Sequence, residues 1–171
     1  MKNVLFLCTG NSARSILCAA TLNHLGKGRF TGYSAGSQPT GVVNPCALAE
    51  LERRGIPCAG ERSKSWDEFS VTNGPAFDWV ITVCDSAASE ACPVLFGDFS
   101  KVHWGMPDPA SVQGDEAIVR EAFRRTENVI LERLTALVAL PVESLDQTAL
   151  LLGLFEIAER VPAVALTEQA A

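Results

Sequence analysis

Apolar residues fall along the chain in two kinds of run. "VLFL", Val4 to Leu7, and "FDWVITVC", Phe77 to Cys84, are short and barely interrupted, which predicts strands buried on both faces. "RFTGYSAGS" predicts another strand that ends in small residues, and "SKVHWGMPDP" a short fourth one before a proline-bounded loop. Between these runs the apolar spacing changes to the helical period. "SILCAATLNHLGKG" places Ile16, Leu17, Ala20 and Leu25 on one broad face, with Gly26 or Gly28 as its stop. "NPCALAELERRG" starts a helix near Pro45, with basic residues in the last turn and Gly55 beyond it. From about Asp115 to Leu140 the pattern predicts a long helix presenting Ile118, Ala122, Ile130, Leu134 and Leu137. A last helix, Val142 to Arg160, carries Leu151, Leu154, Phe155 and Ala158 on one side, before a frayed "TEQAA".

Strands that alternate with helices imply an α/β fold: a parallel sheet covered on both sides, with right-handed crossovers. In such sheets ligands bind beyond the carboxyl ends of the strands, where the strand order reverses. No repeat, low-complexity tract or linker divides the chain. Its 171 residues are expected to form one domain over 1–140, with 141–171 as a helical extension packed on it.

Composition narrows the function classes. A formal charge of −6 argues against general nucleic-acid binding, which calls for clustered Lys and Arg. An anionic small substrate stays open, because a pocket's field depends on local groups. No apolar run approaches the ~18 residues that span a bilayer, and the N-terminal apolar stretch is too short for a secretory signal. A cytoplasmic protein without membrane or nucleic-acid partners is expected. In a reducing compartment its six cysteines are expected to start as thiols, which favours redox or catalytic roles over structural disulfides.

The chemistry concentrates in "CTGNSARS", Cys8 to Ser15, just after the first predicted strand. Thr9, Gly10, Asn11, Ser12 and Ala13 can curl into a nest of backbone N–H groups around one tetrahedral oxyanion. Gly10 permits the turn, and Asn11 can pin the loop or take a left-handed conformation. The helix that follows points its positive end at the same place. Arg14 offers a planar two-pronged clamp, and Ser15 can donate a hydrogen bond to the Cys8 thiolate. A field of this kind is expected to lower a cysteine pKa. A bare Cys and Arg six positions apart would mean little, since a strand-end thiol and a surface Arg share that spacing by chance. The loop composition and the strand–loop–helix setting give it weight. The nucleotide pattern G-x-x-x-x-G-K-[ST] is absent. Asp108, held between two prolines in "HWGMPDPAS", is the candidate general acid. Neither His24 nor His103 is assigned to catalysis.

These motifs resemble the low-molecular-weight tyrosine phosphatase superfamily: "VLFLCTGNSARS" its phosphate loop, "GYSAGS" its second strand and "PDP" its acid loop. The resemblance runs from Lys2 to Leu140. It implies a three-layer α/β/α sandwich around a four-stranded parallel sheet, with Cys8 as nucleophile, Arg14 as oxyanion clamp and Asp108 as general acid. Two reactions are known on this fold, phosphomonoester hydrolysis and thiol-dependent arsenate reduction. "CDSAASEACP", Cys84 to Pro93, resembles the redox segment of the reductases, and "VHWGMPDPA" their acid loop.

The resemblance therefore implies an arsenate reductase in which Cys8, Cys84 and Cys92 relay a disulfide. No bound cofactor and no metal are expected. The partners implied are arsenate or a phosphate-like oxyanion and an external thiol reductant, either thioredoxin or glutaredoxin with glutathione. A helix between Cys84 and Cys92 would hold its ends ~12 Å apart, whereas a disulfide needs Cα atoms within ~7 Å, so this segment is expected to unwind during turnover. The alternative is a protein tyrosine phosphatase working through a Cys8 phosphoenzyme. A non-catalytic oxyanion sensor would leave Asp108 without a task. Cys18, Cys46 and Cys58 are expected to be structural.

Overall fold

The computed structural model describes residues 1–70, 74–90, 95 and 98–166. Four parallel strands form one sheet: β1 (Lys2–Cys8), β2 (Phe30–Gly36), β3 (Trp79–Thr82) and β4 (Ser100–His103), in the order β2-β1-β3-β4. The helices are α1 (Arg14–Leu25), α2 (Pro45–Arg53), the short α3 (Asp85–Ser89), α4 (Glu116–Ala139) and α5 (Gln147–Arg160). Because β1 pairs with β2 on one side and β3 on the other, the chain changes direction across the sheet at β1. The loop after Cys8 therefore lies at the topological switch point.

Alternation along β1 separates two cores. Val4, Phe6 and Cys8 face a large cluster that includes Ile16 and Leu17 of α1, Leu51 of α2, Ile130 and Leu134 of α4, and Leu154 of α5. Leu5 and Leu7 face a smaller cluster closed by Phe69 and Phe77. There Tyr33, Phe69 and Phe77 meet edge to face, with ring centroids 5.4–5.8 Å apart. The sheet is the middle layer of an α/β/α sandwich, as the alternating pattern implies.

Several predicted faces shift. In α1 everything from Ser15 to Leu22 is buried, because β2, α2 and α4 enclose the helix on more than one side. In α4, Ala122, Ile130, Leu134 and Leu137 are buried as expected, but Ile118 lies exposed in the first turn. The last helix begins at Gln147 rather than Val142: Pro141 opens a turn, and Asp146 caps the helix by accepting from the Ala149 N–H. Its buried residues are Leu150, Leu154 and Ile157, while Phe155 is turned outward. The strand predicted at Phe77–Cys84 is hydrogen-bonded as a strand only over 79–82. Among the described residues no helix is long and apolar enough to cross a membrane.

Candidate active site

The loop that joins β1 to α1 is wrapped from outside. The carbonyls of Cys8, Thr9, Gly10 and Ser12 accept from the N–H groups of Ser37, Gln38, Thr40 and Asn44, at 3.4, 2.9, 3.0 and 2.8 Å. With these carbonyls turned outward, the planar peptides direct their N–H groups toward the interior of the curl. Asn11 takes the left-handed conformation with φ 42°. Its side chain is fully buried and works in two directions. Oδ1 accepts from the Lys64 N–H at 2.8 Å, and Nδ2 donates to Ser15 Oγ at 2.8 Å.

That second bond orients the chemistry. Ser15 Oγ, already accepting from Asn11, lies 3.0 Å from Cys8 Sγ, so its hydroxyl proton can be given to an ionised sulfur. The Asn11 N–H also donates to Cys8 Sγ at 3.1 Å. Cys8 is only 3 % exposed. Burial pushes its thiol up from the ordinary value, and the bonds from Ser15 and Asn11 pull it back only in part. This corrects the expectation of a lowered pKa: removing the sulfur from water outweighs the donors around it. The neighbouring Cys84 adds to the upward push.

Arg14 reaches across the cleft. Its Nη1 donates to the Met106 carbonyl at 2.9 Å, and Nη2 lies 3.5 Å from Asp108 Oδ2. Asp108 also accepts from the Ala110 N–H at 3.2 Å, which starts a short 3-10 turn at Pro109. Cys84 follows β3 and caps α3, its sulfur 3.4 Å from the Ala87 N–H and 3.7 Å from Thr9 Oγ1. Cys8, Thr9, Gly10, Ser12, Ala13, Arg14, Cys84 and Asp108 line one cleft of ≈ 530 Å³. Asn11 and Ser15 stand buried behind it. Cys92 lies outside the described residues.

Among the described residues α1 is the one long helix whose first turn takes no side-chain cap, whereas Asn44, Asp115 and Asp146 cap α2, α4 and α5. A bound oxyanion would serve that end. Cys18, buried in α1, has its thiol pushed well up by burial, which disfavours the reactive thiolate. Among the described residues no group of three His, Cys, Asp or Glu side chains could hold a metal ion.

Sequence reasoning passed over the outer wrap, the Lys64 contact and the Thr9–Cys84 contact. The small-residue end of "GYSAGS" has a structural reason. A Cβ on Gly36 would lie 2.4 Å from the Thr9 carbonyl and 3.0 Å from Asn11, so β2 closes on the loop only because this residue has no side chain. The run of small residues was the available signal.

The sequence model of the low molecular weight phosphotyrosine protein phosphatase family matches residues 3–149. An arsenate reductase of Bacillus licheniformis is 36% identical over 134 residues, covering 78% of this chain and 92% of the relative. The crystal structure of an arsenate reductase from Archaeoglobus fulgidus superimposes with a TM-score of 0.62 at 29% identity, covering 80% of this chain and 99% of that one. A second solved structure, described as an arsenate reductase in the phosphate binding state, gives a TM-score of 0.62 at 28% identity over 81% of this chain and 98% of that one.

Proposed function

The chain belongs to the low molecular weight phosphotyrosine protein phosphatase family, and within it we propose that the protein is an arsenate reductase. The observation that carries this reading is the second thiol: Cys84 lines the same cleft as Cys8, in contact with the residue next to it. Phosphomonoester hydrolysis has no use for that sulfur, whereas a two-electron reduction needs a second thiol, which Cys84 is placed to supply.

Arsenate enters the curl, where the loop N–H groups and Arg14 hold its oxygens. Cys8 Sγ attacks arsenic and forms an S–As bond. One arsenate oxygen leaves as water, with Asp108 at the cleft mouth supplying a proton. Cys84 Sγ then attacks Cys8 Sγ. The S–As bond breaks and its electron pair stays on arsenic, which departs as arsenite, leaving a Cys8–Cys84 disulfide. In the relay proposed here Cys92 attacks Cys84, frees Cys8 and leaves a Cys84–Cys92 disulfide. An external dithiol protein, thioredoxin or glutaredoxin with glutathione, returns that disulfide to two thiols. The sum is arsenate plus two thiols giving arsenite, one disulfide and water.

The placement of Asp108 beside Arg14 also suits phosphomonoester cleavage through a Cys8 phosphoenzyme, which is the second reading. Arsenite production by the purified protein, with the thioredoxin and glutaredoxin systems side by side, separates the two. Turnover with at least one of them is expected. Cleavage of an aryl phosphate without arsenite formation under either system would establish the phosphatase.

A further inference from the structure

The acid loop is held from behind by a part of the chain that the family match barely includes. The match ends at residue 149, three residues into α5. Trp104, at the root of the acid loop, is 1 % exposed, and its indole N–H donates to the Leu154 carbonyl of α5 at 2.9 Å. Arg133 of α4 is 3 % exposed. Its Nε donates to the Val161 carbonyl and its Nη1 to the Trp104 carbonyl, both at 2.9 Å, and its guanidinium lies 6.0 Å from the centre of the Trp104 ring. Further out, Ala163, Val164 and Leu166 share the wall of a small cavity with Met106 and Pro107. Two residues beyond Trp104, the Met106 carbonyl receives Arg14.

We infer that residues 141–166 and Arg133 form a brace for the acid loop, with Arg133 as a positioning residue that sets Arg14 and Asp108 for the bound oxyanion. A buried guanidinium is costly unless its donors are used well. Here they are spent on two backbone carbonyls, one in the acid loop and one in the segment after α5. The planar fork reaches both at once, and a Lys ammonium could not copy that geometry. Core packing alone would be served by an apolar side chain of the same length. The chain of contacts runs from α5 to Trp104, from Trp104 to Met106, and from Met106 to Arg14 and Asp108. It rests on the loop being the anion site, though not on whether arsenate or a phosphomonoester is the substrate.

The test reads anion binding rather than turnover. Cys8 is alkylated with iodoacetamide under increasing inorganic phosphate, and its modification is followed by peptide mass spectrometry. Arg133→Met keeps the stem and removes the fork. It is expected to raise the half-protecting phosphate concentration about tenfold, the size of one weakened charge-assisted hydrogen bond. Arg133→Lys should fall between the two. Trp104→Phe removes only the indole donor and part of the ring, and is expected to move protection in the same direction; it decides the matter should Arg133→Met not fold. Variants that melt earlier but are protected at the wild-type phosphate concentration would overturn the brace and leave Arg133 a packing residue. If phosphate gave the wild type no protection, the anion site itself would be refuted and this inference with it.

Discussion

At the scale of single residues the site depends on how Cys8 loses its proton. Burial raises its pKa, and the Ser15 hydroxyl is the largest influence in the opposite direction. Alkylation of Cys8 should therefore climb with pH up to a midpoint above that of a free thiol, since only the thiolate reacts. Ser15→Ala removes a donor to the charged sulfur and is expected to slow alkylation about tenfold at fixed pH. A Cys8 that ionises below the ordinary thiol range, or a Ser15→Ala variant as reactive as the wild type, would contradict this balance. The Cys8–Arg14 constellation was legible in the sequence because it is local: seven consecutive residues, from the end of β1 to the start of α1, contain it. The desolvation that reverses the expected pKa shift was not legible, since it comes from the packing of distant elements around the sulfur.

Elements decide whether those residues meet. The loop keeps its curl because the segment from Ser37 to Asn44 takes up its carbonyls and because β2 approaches without a side chain at Gly36. Gly36→Ala is expected to push Thr9 outward and to abolish phosphate protection of Cys8 while the sheet still forms; protection like that of the wild type would show that the loop shape does not depend on this approach. Strand and helix order was readable from the hydrophobic periods, because each buried face repeats at its own spacing. Boundaries were less so. Asp146 and Pro141 place the start of α5, and a cap competes with the preceding apolar residues in a way that periodicity alone does not register. Phe155 turns outward because the buried stripe of α5 runs through Leu150, Leu154 and Ile157, a choice of face set by packing on the rest of the molecule.

Across the whole molecule, one buried carboxyl ties stability to pH. Glu127 of α4 is fully buried, accepts from Thr21 Oγ1 of α1 at 2.6 Å, and its Oε2 has no hydrogen-bond partner among the described residues. Burial raises its pKa to about 8, against partial pulls from the Thr21 hydrogen bond and then from Arg54. Between the unfolded value of ~4.3 and that figure, the folded state holds a proton that the unfolded state has released, so its contribution to stability is lost as pH rises. Glu127→Gln keeps an acceptor for Thr21 and cannot ionise. Its melting temperature should gain on the wild type as pH rises from about 5 to about 9; a constant difference would show that Glu127 does not carry the slope. The same long-range packing joins two thiols 76 positions apart in sequence at one cleft, and the central claim is that they exchange electrons with arsenic. The most direct measurement compares Cys84→Ser with the wild type for arsenite formation and for cleavage of a small aryl phosphate. Loss of arsenite formation with aryl phosphate cleavage retained is the predicted result. Arsenite formation at the wild-type rate in Cys84→Ser would contradict the relay.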